Sequence, residues 1–141
     1  MVKSVKQTRK KKSMRTIKSY ISQHLELLQI IRLYHWKTNS YSVHKATDEL
    51  YNNLNILIDN FVEVLLGKTD YKIKMSDYEK INLKNINSNA SLIKYVNTYI
   101  KNMENMEHNL KLKNEFMGDI NNIRDEIIAD LNKFLYQLRL K

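Results

Sequence analysis

The sequence predicts an all-α protein in which four long helices form a bundle, with one long crossover between the second and third helices. The chain contains no proline and only two glycines, so nothing obliges its long periodic segments to break. Apolar residues recur at helical spacing in four segments, and no segment shows the secure alternation of a strand. The first and second segments, and the third and fourth, are joined by short links, whereas residues 68–88 separate the second from the third.

Composition indicates one domain in a reducing, intracellular setting. The 141 residues suffice for a single core. The absence of cysteine excludes disulfides and thiolate metal sites. No apolar run approaches the roughly 18 residues of a membrane span, and the N-terminus is too basic for a signal peptide. We therefore expect no membrane partner and a location in the cytoplasm or nucleoid, or in a host cell or virion if the protein is viral.

The first helix is predicted to follow a disordered basic tail. Residues 1–12 are too charged and too poor in apolar side chains to fold alone, which leaves residues 13–141 for the bundle. Ser13 can cap a helix that runs to about Trp36. The apolar stripe of this helix consists of Ile17, Tyr20, Ile21, Leu25, Leu28 and Ile31.

The second helix is predicted to follow a short turn at Asn39 and Ser40. It runs from about Ser42 to Leu66, and Gly67 is a plausible stop. Its core-facing residues are Leu50, Leu54, Leu57, Phe61 and Leu65.

The crossover over residues 68–88 is predicted to contain one short helix. Ser76 and Glu79 form a capping-box pattern that would start this helix, which would end near Leu83. Short links make neighbouring helices antiparallel, and the long crossover lets the third helix run parallel to the second. This is the ferritin-like form of the four-helix bundle. Its third and fourth helices are predicted at residues 89–112 and 115–140. The apolar stripe of the third helix consists of Leu92, Val96, Tyr99, Met103, Met106 and Leu110, and that of the fourth of Ile120, Ile123, Ile127, Leu131, Phe134 and Leu138.

Candidate metal ligands recur in the first half of the chain with spacings of 9, 4, 11 and 4 residues. Each four-residue spacing places two ligands one turn apart on one helix face. Eleven residues keep the two pairs on a common stripe but separate them by about 16 Å, too far for ligands of one ion. An antiparallel pair of such helices would bring the pairs together, so the spacing predicts a metal site shared across a two-fold axis, in a dimer at least. The candidate ligands are His35, His44, Asp48, Asp59 and Glu63. By the step of about 100° per residue, the ligand stripe of the second helix lies roughly 135° from its apolar stripe, so it is not expected to point into the core of its own chain.

Local charge favours a bound cation at this stripe. The chain is formally +9, yet residues 46–67 contain four acidic residues and no lysine or arginine. Carboxylates that share a stripe repel one another unless a positive charge lies between them. The alternative interpretation is a solvated helix face, and the sequence alone leaves both open.

The same residues carry a resemblance to a known family. The run from His35-Trp36 through Glu63 resembles the ferroxidase signature of Dps proteins, the mini-ferritins, and its wording is similar to small ferritin-like proteins of phages and large DNA viruses. The strong resemblance covers about residues 30–67. The gap between the two histidines is about three residues shorter than in that family. The resemblance implies that His35, His44 and Asp48 of one subunit bind iron, or another divalent metal, with Asp59 and Glu63 of its mate, that Trp36 shields the site, and that twelve subunits form a shell.

A basic N-terminal segment predicts nucleic-acid binding. Residues 1–18 carry +8 of the formal +9 and no acid. Such a segment on a near-neutral domain is typical of sequence-nonspecific DNA binding, and the resemblance to Dps proteins implies the same. A solubilising tail and a nuclear-import signal are the alternatives. The candidate DNA-binding residues are Lys3, Lys6, Arg9, Lys10, Lys11, Lys12, Arg15 and Lys18.

Two functions therefore compete. The first is a Dps-like mini-ferritin that binds and oxidises Fe(II) and also binds DNA. The second is a DNA-compacting or virion structural protein that uses a ferritin-like scaffold without ferroxidase activity. The remaining candidates are weaker: we expect His24 and His108 to be surface or packed histidines, and an intrasubunit carboxylate site on the last helix is disfavoured because the chain lacks the Glu-x-x-His motif. That site would use Asp119, Glu126 and Asp130.

Overall fold

The computed structural model describes residues 2–110, 112 and 117–140, without the side chains of residues 2, 3, 9–13 and 15. Within these residues the fold is all-helical and contains no strand, which confirms the predicted class. One turn of 3-10 helix, Met75–Tyr78, lies in the crossover. The α-helices are α1 (Val2–Lys37), α2 (Tyr41–Lys68), α3 (Asn89–Glu104), α4 (Met106–Leu110) and α5 (Gly118–Arg139).

Helix α1 begins at Val2 rather than at Ser13, so the backbone expected to be a disordered tail is helical. Lysine, arginine and glutamine have high helix propensities, and no glycine or proline interrupts the segment. The described side chains of residues 4–8 are exposed, and Ile17 is the first buried residue among the side chains that the structure describes. The turn at residues 4–8 therefore lies beyond the part of α1 that packs into the core.

The turn between α1 and α2 was correctly predicted. The Ser40 hydroxyl accepts a hydrogen bond from the Val43 backbone N–H and caps α2, an interaction that typically contributes about 1 kcal/mol. The predicted core residues of α2 are buried except Leu57, which is half-buried, and Ile58 is buried in addition. The core stripe of α2 is therefore close to the predicted one.

The crossover contains less helix than the sequence predicted. Its only helical turn among the described residues spans Met75–Tyr78 and does not extend to Leu83. The predicted capping box at Ser76 was wrong, because Ser76 lies inside the turn, after the N-cap residue Lys74, which makes no side-chain cap. The segment is held by side chains instead, through a 2.6 Å hydrogen bond between the hydroxyls of Tyr71 and Tyr78.

The predicted third helix is interrupted at Asn105, which separates α3 from α4. Asparagine is a poor helix former because its side chain competes for backbone hydrogen bonds. The predicted apolar stripe still faces the core on both sides of the break, since Met103 and Met106 are fully buried. Helix α5 begins at Gly118 rather than at residue 115, and residues 113–116 lie outside the described part of the chain.

Helix α1 contacts α2 on one side and α3 with α4 on the other, and α5 contacts α2 and α3. The bonds between α1 and α3, and those between α2 and α5, show that each of these two helix pairs is antiparallel. Going along α1, Tyr20, His24 and Tyr34 bond residues successively earlier in α3, so α1 and α3 are antiparallel. Helices α2 and α5 are antiparallel as well, because Glu49 pairs with Lys133 and Lys68 with Asp119. The turn at residues 38–40 places the last turn of α1 against the first turn of α2, so these two helices are antiparallel as well. Since α2 and α3 are both antiparallel to α1, they run parallel to each other.

Candidate metal site

His35 and His44 form a stacked pair where α1 meets α2. Their ring centroids lie 3.8 Å apart with planes inclined by 21°. The pair exists because the three-residue turn at residues 38–40 brings the last turn of α1 against the first turn of α2. His35 is 7% exposed, whereas His44 is exposed. The structure thus brings together two of the five predicted ligands.

Each ring of this pair is oriented by the backbone of the other histidine. The Nδ1 atom of His35 lies 2.9 Å from the His44 carbonyl oxygen, and the Nδ1 atom of His44 lies 3.0 Å from the His35 carbonyl oxygen. A carbonyl oxygen can only accept, so both Nδ1 atoms donate, which leaves Nε2 as the atom of each ring that can offer a lone pair. Donation of one ring N–H to a backbone carbonyl is the usual way in which a metal-binding histidine is oriented.

Thr47 supports the same arrangement from the buried side. Its hydroxyl oxygen lies 3.1 Å from His35 Nδ1 and 2.8 Å from the Val43 carbonyl oxygen, to which it donates. Thr47 is fully buried, so the hydroxyl is shielded from water. The sequence interpretation missed this residue, although a threonine three positions after a candidate ligand lies on a neighbouring face of the helix and was a usable signal.

The three predicted carboxylate ligands are exposed on α2, away from the core of their own chain. Asp48, Asp59 and Glu63 are all exposed, as the angle between the two stripes of α2 predicted. Among the side chains that the structure describes, none forms an ion pair with any of the three. The neighbouring Glu49, in contrast, binds Lys133 at 2.9 Å, and this lysine holds the pKa of the Glu49 carboxyl below its usual value.

The four candidate ligands on α2 form two pairs that share the same midpoint along the helix. The pair His44 and Glu63 and the pair Asp48 and Asp59 are both centred between residues 53 and 54. In an antiparallel helix pair, a two-fold axis through that point would place His44 opposite Glu63 of the partner subunit. The same axis would place Asp48 opposite Asp59 of the partner subunit. Ile56, which lies near this centre, is 69% exposed. A large apolar side chain at that position is suited to contact a second copy of the helix.

Trp36 does not cover the histidine pair within one chain, since it is 69% exposed. The Arg32 guanidinium lies 3.7 Å from the ring centroid of Tyr51 and 5.9 Å from that of Trp36. This cation–π contact joins α1 to α2 beside the histidine pair. The predicted shielding role of Trp36 would need a neighbouring subunit.

Within the described residues of one chain, no three acidic or histidine side chains are close enough to hold a metal together. Asp59 and Glu63 are not brought together with the histidine pair, because about 16 Å of helix separates the two pairs of ligands on α2. Asp48 lies only one turn after His44, yet within the described residues it does not form a three-ligand group with the two histidines either. The carboxylates of α5 form no site either, and Asp119 instead binds Lys68 at 2.9 Å. Closure of a site between two chains stays a prediction.

The predicted DNA-binding residues are described only in part. Lys6 is exposed on α1, and Lys18 is half-buried, with its ammonium 3.6 Å from Asp77 of the crossover. The side chains of the other six predicted residues lie outside the described part of the chain.

The chain belongs to a family of unknown function, DUF5856. The family's profile matches residues 35–138, which include every predicted metal ligand and exclude the basic N-terminal segment. Comparisons with curated proteins and with solved structures gave no match. In the part of this DUF5856 protein that the structure describes, no helix is long and apolar enough to cross a membrane.

Proposed function

We propose that this DUF5856 protein is a Dps-like mini-ferritin that binds Fe(II) between two subunits and oxidises it. The observation that carries the proposal is the histidine pair, His35 and His44, whose two Nδ1 donors are held by backbone carbonyls and whose Nε2 atoms are left to bind a metal. Imidazole nitrogens and carboxylate oxygens are ligands suited to iron.

The exposed acidic stripe supports the same proposal. Asp48, Asp59 and Glu63 have no protein cation within the described residues, and like charges on one stripe cost free energy until a cation neutralises them. Antiparallel pairing of α2 about its centre would bring Asp59 and Glu63 of one subunit to the His44 and Asp48 of another. Iron is the substrate of such a site, and peroxide or oxygen would be the oxidant.

The arrangement of helices also favours the proposal. Antiparallel neighbours around a ring, with a long crossover between two parallel helices, is the connectivity of ferritin-like bundles. Helices α1, α2, α3 with α4, and α5 would be the four members, and the crossover would carry the short 3-10 turn. Assembly into a shell of twelve subunits would follow if the resemblance to Dps proteins extends to quaternary structure.

The proposal is tested by linking iron binding to dimerisation. Ile56→Glu would place charges at the centre of the α2 pair, and we expect this variant to sediment as a monomer and to lose Fe(II) binding under anaerobic conditions. Tyr136→Glu, which alters an apolar residue of α5 that is 55% exposed, is the matched control and should keep both properties. Stoichiometric iron binding by monomeric Ile56→Glu would overturn the inter-subunit site.

The basic N-terminal segment supports a second activity, nonspecific DNA binding. Each lysine or arginine that neutralises a phosphate releases counterions, so affinity should fall steeply with salt. Because α1 is helical from Val2, these charges would be presented by an extended helix rather than by a flexible tail. Several such segments on one oligomer would bind together by avidity.

DNA binding also defines the alternative function, a DNA-compacting or virion structural protein that uses the bundle only as a scaffold. Fe(II) oxidation measured after addition of peroxide or oxygen to metal-free protein separates the two. Iron oxidation that depends on the acidic stripe favours the mini-ferritin, whereas DNA binding by a protein that binds no iron favours the scaffold.

A further inference from the structure

A groove of about 410 Å³ lies between α1, α3 and the crossover, and it shares no residue with the candidate metal site. Its size falls within the range of small-molecule pockets, which is about 300–1,000 Å³. The α3 wall of the groove is a stripe at helical spacing that runs from Ser91 through Tyr95 to Asn102. Gln23 and Glu26 of α1 line the opposite wall. The groove therefore combines charged, amide and aromatic side chains in one concave surface.

One end of the groove carries two side-chain amides. Gln23 accepts a hydrogen bond through Oε1 from the Nδ2 atom of Asn102 at 3.1 Å, and its Nε2 atom donates to the Ser19 hydroxyl at 3.2 Å. Each amide nitrogen has a second N–H, and each amide oxygen has a second lone pair, so this pair can donate and accept at once. Such a combination matches the edge of a nucleobase, as glutamine and asparagine match N6 and N7 of adenine.

The middle of the groove has an aromatic wall. Tyr95 is half-buried and Tyr99 is buried, and both line the groove from α3. The Tyr99 hydroxyl is engaged by Nδ1 of the fully buried His24 at 2.5 Å, so Tyr99 offers its ring rather than a hydrogen-bonding group. The half-buried Ile86 of the crossover adds an apolar side chain. A flat ring in this part of the groove can stack on the Tyr95 ring.

Two lysines supply positive charge to the same groove. Lys94 precedes Tyr95 on α3 and is exposed, and none of the ion pairs among the described side chains includes it. Lys84 of the crossover is also exposed, and its ammonium lies 3.9 Å from the Glu26 carboxylate, which is a long ion pair. Lysine ammonium groups are common ligands of phosphate. Protein carboxylates therefore neutralise this end of the groove only in part, and an anion can bind there.

Glu26 distinguishes the expected ligand from a simple anion. Its side chain is only 15% exposed, and it lies one turn after Gln23 on α1 and next to Lys84. Burial and the neighbouring Glu26 carboxylate raise the pKa of the Tyr95 hydroxyl, so this carboxylate also lies beside the aromatic wall. A carboxylate repels a bare anion but accepts hydrogen bonds from sugar hydroxyls, as an acidic residue does in dinucleotide-binding folds. The position of Glu26 between the amides and the lysines therefore suits a ribose.

We propose that this groove binds a nucleoside monophosphate. The base would stack on Tyr95 with its edge on the two amides, the ribose hydroxyls would bond Glu26, and the two lysines would bind the phosphate. Asn102 and Lys94 are eight residues apart on α3, a rise of about 12 Å, which is comparable with the length of one nucleotide. The inference does not rest on the metal site or on the basic N-terminal segment, because no described residue of either lines the groove.

The test is isothermal titration calorimetry of the full-length protein with adenosine monophosphate, adenosine and inorganic phosphate. We expect the monophosphate to bind more tightly than either adenosine or phosphate, because only the monophosphate occupies both ends of the groove. Phosphate that binds as tightly as the monophosphate would overturn the proposal, and so would a monophosphate that does not bind at all.

A matched pair of lysine variants separates the groove from the general positive charge of the protein. Lys94→Gln removes a charge that lines the groove, whereas Lys101→Gln removes one from an exposed position of the same helix outside it. We expect Lys94→Gln to weaken binding of the monophosphate about tenfold, a usual loss for one hydrogen bond to a charged group, and Lys101→Gln to leave it unchanged. An equal loss in both variants would overturn the proposal, since the lysines would then act at a distance.

A third variant, Tyr95→Leu, tests the aromatic wall. It keeps an apolar side chain at a half-buried position, and circular dichroism would establish that the variant is folded. We expect it to weaken the binding of adenosine and of the monophosphate about tenfold, and to leave the binding of phosphate unchanged. Full affinity for the monophosphate in the folded variant would overturn the placement of a base in this groove.

Discussion

Acid should destabilise this protein through His24, and the size of the effect follows from its burial. Burial without a charged partner lowers the pKa of His24 to about 3 in the folded state, from an ordinary value of 6.5. Between these two values the unfolded chain binds a proton that the folded chain does not, so the free energy of unfolding falls as the pH falls. At 1.36 kcal/mol per pKa unit, this one group should lower it by about 2 kcal/mol between pH 7 and pH 5, and by about 4 kcal/mol between pH 7 and pH 3.

The prediction is checked by urea unfolding at pH 7 and pH 5, at a fixed protein concentration because oligomerisation also affects stability. The informative variant is His24→Leu combined with Tyr99→Phe, which removes both hydrogen-bonding partners and therefore leaves no buried phenol unpaired. We expect its loss of unfolding free energy between the two pH values to be about 2 kcal/mol smaller than that of the wild type.

His108→Leu is the matched control, because His108 is exposed on α4, and this variant should keep the wild-type difference between the two pH values. The reasoning is refuted if the double variant loses as much stability at pH 5 as the wild type does. That result would mean that His24 is protonated in the fold, or that it gains a charge partner there.

Three further predictions concern the site and the basic segment. Asp59→Ala with Glu63→Ala should abolish most Fe(II) oxidation, measured by ferric absorbance, and leave the thermal midpoint unchanged or slightly raised, since exposed like charges are removed; unchanged kinetics would contradict the ligand assignment. His44→Ala should reduce anaerobic Fe(II) affinity more than His35→Ala, while His35→Ala should cost more stability because it empties a buried position; titration calorimetry and melting curves give the order. Removal of residues 1–12 should weaken DNA binding and reduce its salt dependence in gel shifts at several salt concentrations, and equal binding by both forms would assign that segment another role.

The sequence determined the helices of the bundle well because their apolar residues recur over many turns. The stripe through Leu92, Val96 and Met103 is buried as predicted, and so is that through Ile127 and Leu131. Boundaries were predicted less well where local signals compete. At the start of α1, the high charge predicted a disordered tail, whereas the helix propensities of the same residues favour the helix that is found. At Asn105, the apolar periodicity on both sides predicted one continuous helix, although this residue interrupts it.

For the candidate site, too, the sequence predicted some features and not others. The spacing of His44, Asp48, Asp59 and Glu63 is a property of one helix, so the sequence alone determined that they share a face and that they cannot share an ion within one chain. The exposure of all four was predictable for the same reason, from their angle to the core stripe.

Only the tertiary structure decided which groups from different helices meet. The reciprocal bonds of His35 and His44 depend on the turn at residues 38–40, whose geometry no periodicity specifies. The contact of His24 with Tyr99 joins residues 75 positions apart, and sequence spacing carries no information about such a pair. Helical periodicity reports the face on which a residue lies, whereas the partner that the face meets depends on how whole helices pack.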